Sequence, residues 1–307
     1  MVQSLRMIRY LKRNYILFLM AVPALLCHLL FDYAPMFGVI LAFKNYNFTQ
    51  GFFGSPFVGL KNFEFLFSTT DAWIITRNTI LYNVVFIILN TTLSILLAVL
   101  LSEILSRRLA KWLQTVLMMP YFLSAIVVAI VVYAFLRSEN GFLNSVLAMF
   151  GMSAVDWYHT PSAWPFILVI VNAWKGVGYG AVLYLASISG IPNEYYEAAV
   201  LDGATKIQQA RHITLPFIRQ MVIILLILSI GGIFRSDCGL FYNVPQDIGT
   251  LYPVTNVIDT YVLRALIKLN NTGMSTAAGL YQSVVGFFLI LLSNYIVKKV
   301  DPDSAMF

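Results

Sequence analysis

Side chains able to do covalent chemistry are few in this chain, and they are scattered. His28, His159 and His212 lie far apart, without the spacing that gathers histidines around a metal. Cys27 and Cys238 each sit in or beside an apolar run, so neither a disulfide framework nor a zinc site follows from them. A hydrolase needs a nucleophile paired with a base, or a metal set, and neither His28 nor Cys238 has an evident partner. What remains is a set of polar groups embedded in apolar sequence. Asn83 and Asn90 stand seven apart and share one helical face. Tyr121 and Ser124 follow, then Asn172, Trp174, Lys175, Tyr179 and Tyr184, then Ser229, Phe234, Arg235, Ser236 and Asp237, and finally Tyr281 and Gln282. Their chemistry is hydrogen bonding and charge pairing, which serves to join helices or to hold a polar solute.

The elements that position these groups are set by an apolar solvent. Of the 307 residues, 59% are hydrophobic and 11% charged, with a mean hydropathy of +0.78. A soluble domain carries about 25% charged residues. Apolar stretches of the roughly 20 residues needed to cross a bilayer recur at 14–34, 78–101, 114–136, 165–188, 218–242 and 276–297. The expected fold is therefore an all-α integral membrane protein with six transmembrane helices. Residues 1–13 form a cytoplasmic N-terminal segment and 14–307 a single transmembrane domain. The basic start resembles a secretory signal, but its apolar run outlasts a signal core and contains Ala21-Val22-Pro23-Ala24 internally, so cleavage is not expected.

The net charge of +6 is explained by topology. One side of the membrane receives the N-terminus, the 102–113 loop, the 189–217 loop and the C-terminus. That side holds 12 of the 20 basic residues: Arg6, Arg9, Lys12, Arg13, Arg107, Arg108, Lys111, Lys206, Arg211, Arg219, Lys298 and Lys299. Positive charge near spans stays cytoplasmic, so both termini face inward and no nucleic-acid footprint is implied. Of the external segments, 35–77 is rich in Phe and reads as an interfacial aromatic belt. The 137–164 segment reads as an ordered loop at the interface. Over 243–275, Val257, Ile258, Tyr261, Val262, Ala265 and Leu266 repeat at helical spacing, which predicts a short amphipathic helix.

The 189–217 loop carries Glu197-Ala198-Ala199, then Gly203, then Ile213-Thr214-Leu215-Pro216. Physically it reads as two short helices and a stop. Pro192 suits a first helical position, Gly203 a left-handed helix end, Thr205 or Asp202 the next cap, and Pro216 the start of the following span. Ala198 and Ala199 leave a surface without bulk, and Glu197 offers a carboxylate to a basic partner. Asp202, Lys206 and Arg211 read as solvation of the exposed face. The spacing of Glu197, Ala198, Ala199, Gly203, Ile213, Leu215 and Pro216 resembles in full the cytoplasmic "EAA" coupling loop of permeases from bacterial type I ABC importers.

The resemblance extends over nearly the whole chain. Phe57-Val58-Gly59-Leu60-Lys61-Asn62-Phe63 is similar to the segment before the second span in sugar-type permeases. Gly232-Ile233-Phe234, Ser236-Asp237, Gly239-Leu240-Phe241-Tyr242, Tyr252-Pro253-Val254-Thr255, Ile258-Asp259-Thr260-Tyr261-Val262, Gly279-Leu280-Tyr281-Gln282-Ser283-Val284 and Asp301-Pro302 resemble the branch that takes up complex oligosaccharides or polysaccharide fragments. In maltose-type permeases the stretch after the loop lines the sugar site. Ser229 matches there, whereas Ile233 and Ser236 replace that group's asparagines, so only Ser229 carries over.

The resemblance implies a subunit of an ATP-driven importer in the bacterial cytoplasmic membrane. Its partners would be a second, homologous permease, two ATPase subunits and an external solute-binding (lipo)protein. Its cargo would be a carbohydrate, its surroundings membrane lipid, and ATP and Mg would bind the ATPase. The loop residues with Asp202 would couple, and Asn83, Tyr121, Ser229, Phe234, Arg235, Ser236, Asp237 and Tyr281 would line the substrate pathway. No Gly-x4-Gly-Lys-Ser/Thr loop occurs in the chain, so ATP is not cradled here by that route. Gly176-Val177-Gly178-Tyr179-Gly180-Ala181 has a dinucleotide-fingerprint spacing but sits inside an apolar span, where Gly176 and Gly180 read as a small-xxx-small packing pair. An ion-coupled secondary transporter is the rival reading; it needs buried acids or histidines on an ion path, and leaves the loop unexplained.

Overall fold

The computed structural model describes residues 13–64, 70–302 and 305. The basic residues Arg6, Arg9 and Lys12 lie outside them, as do Phe65 and Phe67. Five helical runs are long and apolar enough to cross a membrane, at Tyr15–Phe43, Asp71–Ser102, Pro161–Ile188, Lys206–Gly231 and Thr272–Lys299. A further pair, Arg107–Phe122 and Ala125–Leu136, is apolar enough only when taken together and is bent by 98°, so the count reaches six when the pair is taken as one span. This corrects the straight span expected at 114–136. Pro120 lies in a 3-10 turn between the halves, where it withholds an amide from the helical ladder. The side-chain oxygen of Ser124 then caps the new helix by accepting from Val127 N, as an N-cap serine does.

The described residues fall into two compact units. In the first, α1 (Tyr15–His28) continues through a π turn and a 3-10 segment to Phe43. Beyond it the Phe-rich segment folds on itself. Lys44 and Phe57 form an antiparallel bridge, Phe43 packs against Phe57 and Phe63, and Asn62 Nδ2 donates to the carbonyls of Ala42 and Lys44 at 2.9 and 2.8 Å. Part of the expected aromatic belt is thus a small cluster of rings, with Phe57 still largely exposed.

The second unit is built on α2 (Thr70–Ser102) and α6 (Trp164–Ile188), which pack along their length. Between them in sequence come α3 (Arg107–Met118), α4 (Ala125–Leu136) and α5 (Phe142–Met149). Two apolar cores form along this pair. One gathers Tyr82, Phe86, Val132, Trp164 and Phe241. The other, toward Ser102, gathers Ala98, Leu101, Tyr184, Ile188 and Ile218. Asn90 and Ser94 lie between them on α2. Glycines of α6 allow close approach on two sides, Gly180 toward α2 and Gly178 toward α3. A Cβ on Gly180 would stand 2.4 Å from Ser94 Oγ, and one on Gly178 would stand 1.8 Å from the Leu117 carbonyl oxygen.

The remaining helices are α7 (Asn193–Leu201), α8 (Lys206–Gln209), α9 (Leu215–Gly231), α10 (Ile258–Leu269) and α11 (Thr272–Val300). α10 is the amphipathic helix expected outside the spans. Two ion pairs bring chain segments to the end of the unit that carries α7: Lys206 to Glu103 at 2.8 Å and Arg219 to Asp301 at 3.0 Å. The 102–106 turn, the α7–α8 loop and the C-terminal residues therefore share one end. Because the atom blocking Gly178 is backbone, Gly178→Ala must move α3 or α6. We expect a loss of about 1–3 kcal/mol, read as a lowered unfolding midpoint in detergent, with Ala181→Gly as a control at a nearby buried position.

Candidate functional sites

At the shared end, the loop folds by local rules. Asp202 is the C-cap of α7, and Gly203 adopts φ +77°. Ala204 N donates to Ala199 O at 2.8 Å and Gly203 N to Val200 O at 3.0 Å, the two bonds of a Schellman cap. Thr205 then opens α8 with a capping box closed by Gln208. Two expectations shift. Pro192 is the N-cap of α7 rather than its first residue. Pro216 is in the first turn of α9, as expected, but the helical run does not start there: it continues from Lys206 through a π turn over Ala210–Thr214 directly before Leu215 and Pro216. The widened turn accommodates the ring and the missing amide.

The resulting surface is unusual for polar solvent. Leu201 and Ile207 are 89% and 81% exposed, and Glu197 and Ala198 are exposed beside them on α7. A concavity of about 360 Å³ is lined by Ala199, Asp202, Gly203, Gln208, His212 and Ile213 among others. Thus six of the eight loop residues singled out from the sequence are on one contiguous shelf: Glu197, Ala198, Ala199, Asp202, Gly203 and Ile213. Leu215 and Pro216 lie on the helical run below it. Lys206, read as a solvating charge, instead pairs with Glu103.

The second group lies at the break after α9. The span expected at 218–242 ends at Gly231, and Phe234–Asp237 are in non-helical backbone before a π turn at Gly239–Asn243. Arg235 and Asp237 are therefore not on a helix as expected. Asn83 Nδ2 is within hydrogen-bonding distance of the carbonyl oxygens of Ile233 and Arg235, at 2.9 and 3.1 Å, and of Ser236 Oγ at 3.2 Å. From the other side, Gln282 Nε2 donates to Phe234 O at 2.6 Å and to Asp259 Oδ2 at 3.1 Å. Asp259 accepts from Ser236 N at 2.7 Å. Burial pushes the Asp259 carboxyl up, while the Ser236 amide and Gln282 side chain favour its ionised form.

Beside this break is a polar cavity of about 300 Å³, lined by Asn83, Phe86, Asn90, Asn172, Ser229 and Asp237 among others. Asn90 Nδ2 donates to Asn172 Oδ1 at 2.8 Å, and its own Oδ1 is buried without a partner among the described residues. Lys175 pairs with Asp237 at 3.2 Å, and Arg235 donates to Ser283 Oγ at 2.9 Å. Phe234 meets Tyr281 edge to face, with centroids 5.8 Å apart. Of the expected pathway residues, Asn83, Ser229 and Asp237 line the cavity, Phe234, Arg235 and Ser236 belong to the adjoining break, and Tyr281 of α11 packs on Phe234. Tyr121 is elsewhere, stacked on Tyr179 at 4.3 Å. Asp259 and Glu103 were not singled out from the sequence. Asp259 had a signal, being the one acid in the amphipathic helix and standing in its first turn.

Residues 90–302 match the family of binding-protein-dependent transport system inner membrane components. The chain belongs to that family. The permease is 34% identical over 300 residues to Protein LplB of Bacillus subtilis (strain 168), covering 96% of this chain and 92% of that one. It is 32% identical to the polygalacturonan/rhamnogalacturonan transport system permease protein YteP of the same organism, covering 97% and 92%. A chain in the crystal structure of a bacterial ABC transporter involved in the import of the acidic polysaccharide alginate matches it with a TM-score of 0.86 at 30% identity, covering 96% and 99%. Membership makes the permease a multi-pass membrane transport subunit and not an enzyme.

Asn83 is the permease's tie between α2 and the break. Asn83→Leu leaves two carbonyl oxygens without their donor, and we expect a loss of about 1–3 kcal/mol. Hydrogen exchange at residues 232–238 should rise while exchange in α7 stays unchanged.

Proposed function

We propose that this chain is a transmembrane permease subunit of an ABC importer that moves a carbohydrate, an oligosaccharide, into the cell with energy from a separate ATPase. The observation that carries the reading is the exposed shelf formed by Glu197, Ala198, Gly203 and their neighbours at one end of a helix whose other end opens beside a polar cavity. Its apolar residues are exposed on a surface beyond the spans, which suits burial against another protein. Glu197 meets a basic residue of that ATPase, and Gly203 fixes the angle at which α7 is presented.

The second subunit is a homologous permease, and two ATPase subunits bind ATP and Mg. An external solute-binding protein delivers the cargo. Both termini and the shelf face the cytoplasm, where the basic residues gather. ATP binding draws the two shelves together and turns the cavity from inward- to outward-facing. Asn83, Ser229, Arg235, Ser236 and Asp237 offer hydrogen-bond partners to sugar hydroxyls, and Phe234 and Tyr281 offer rings to apolar sugar faces. Tyr121 contributes at most through its stack on Tyr179. The names of YteP and of the alginate transporter support an oligosaccharide cargo.

Uptake that depends on this chain tests the reading. We expect accumulation of galacturonan or alginate oligosaccharides, followed by mass, to survive collapse of the proton gradient and to stop on depletion of ATP. Glu197→Ala should lower it at least tenfold with normal membrane insertion. Loss of uptake with the proton gradient alone would instead support an ion-coupled secondary transporter. Substituting Asp237 by Asn should change the relative uptake of acidic and neutral oligosaccharides, and unchanged preference would remove it from the pathway.

A further inference from the structure

At the end of the second unit away from the coupling shelf, α2 and α6 part to leave a groove of about 600 Å³, bordered by Arg77, Leu81, Val85, Phe166 and Ile170. The polar groups in its floor are used internally. Asn78 Nδ2 donates to the carbonyls of Pro253 and Asn256, each at 3.0 Å, and the Tyr82 hydroxyl donates to Val254 O at 2.8 Å. What faces outward is apolar, with Leu81, Phe166 and Ile170 at 57%, 72% and 66% exposure.

Arg77 is the exception. Its Nε and Nη2 both reach Asn78 Oδ1, at 3.4 and 3.1 Å. Among the described residues no carboxylate lies within ion-pairing distance of it. Its level in the membrane follows from the helix. From Arg77 to Ser102 is about 38 Å at 1.5 Å per residue, longer than a hydrocarbon core of about 30 Å but within the 40–45 Å that includes headgroups. With Ser102 at one interface, Arg77 is therefore at the headgroup level of the other. Trp73 is one turn further out on the same face and exposed, as interfacial tryptophans are. One face of α2 thus reads Trp73, Arg77, Leu81, Val85: an interfacial ring, a cation without a counter-ion among the described residues, then apolar groove.

The geometry points to a bound anionic phospholipid, its phosphate on the Arg77 guanidinium and one acyl chain laid along Leu81, Val85 and Ile170. The charge selects this occupant. A phosphate satisfies the guanidinium fork and an acyl chain fills an apolar slot open to the bilayer, whereas a helix from another subunit would need an acid placed at the level of Arg77.

The test is native mass spectrometry of the full chain, purified with its associated subunits in mild detergent and titrated with phosphatidylglycerol or phosphatidylcholine. We expect the wild type to retain phosphatidylglycerol preferentially. Arg77→Gln should weaken retention about fivefold, the order expected for one basic residue at a membrane surface, and Arg77→Lys should largely keep it. Val85→Trp fills the groove and should reduce retention of either lipid with the cation intact. Equal retention in wild type, Arg77→Gln and Val85→Trp overturns the proposal. So does loss of a co-purifying subunit in Arg77→Gln with lipid retention unchanged, which would make the groove a protein interface.

Discussion

An apolar slab tolerates irregular backbone only where each freed carbonyl and amide finds a partner within the protein, and the break after Gly231 depends on that condition. Asn83 from α2 and Gln282 from α11 supply amides to the carbonyls of Ile233, Phe234 and Arg235, while Asp259 from α10 takes the amide of Ser236. Three helices distant in sequence converge on a handful of unpaired backbone groups. Without them the chain would continue as helix or expose carbonyls to hydrocarbon, and the polar cavity beside Ser229 and Asp237 would have no wall.

The same break defines the far end of the helical run that begins at Lys206. That run of 26 residues is about 39 Å long at helical rise, with the coupling shelf at one end and the cavity at the other. Its π turn before Pro216 is the one departure from regular helix. The shelf and the break are therefore joined by a single helical run. On either side of the cavity the two apolar cores hold α2 against α6, with Gly180 letting α6 approach Ser94 of α2 and Gly178 letting it approach the Leu117 carbonyl of α3. The polar layer is thus framed by packed apolar neighbours.

Much of this is legible in the sequence, and the reasons for the rest are physical. Hydropathy locates the spans because the solvent is apolar throughout. The loop is readable because Gly203 and Thr205 act on their immediate neighbours through a Schellman cap and a capping box. Local signals fail where long-range partners decide. Gly231-Gly232 marks a local stop just before Arg235, but Asn83 and Gln282, which hold the irregular backbone in place, lie 152 and 47 positions away from Arg235. The same is true of Lys206, whose partner Glu103 sits across the bundle end, and of the bend at Pro120, where an apolar run long enough for one straight span is divided by a proline and a capping serine. Asn83 was readable as a polar group on a buried face, but its task was not.

The central claim is that the exposed shelf on α7 is an ATPase docking site and that this chain works as one part of an assembly. It is tested most directly by isolating tagged native chain from detergent-solubilised membranes and identifying what accompanies it, with Glu197→Ala and Gly203→Pro compared under the same conditions. The account predicts that an ATPase and a second permease co-purify with the wild type and that the ATPase is depleted in both variants. A wild-type chain that emerges alone, or an ATPase retained equally by all three, would contradict it.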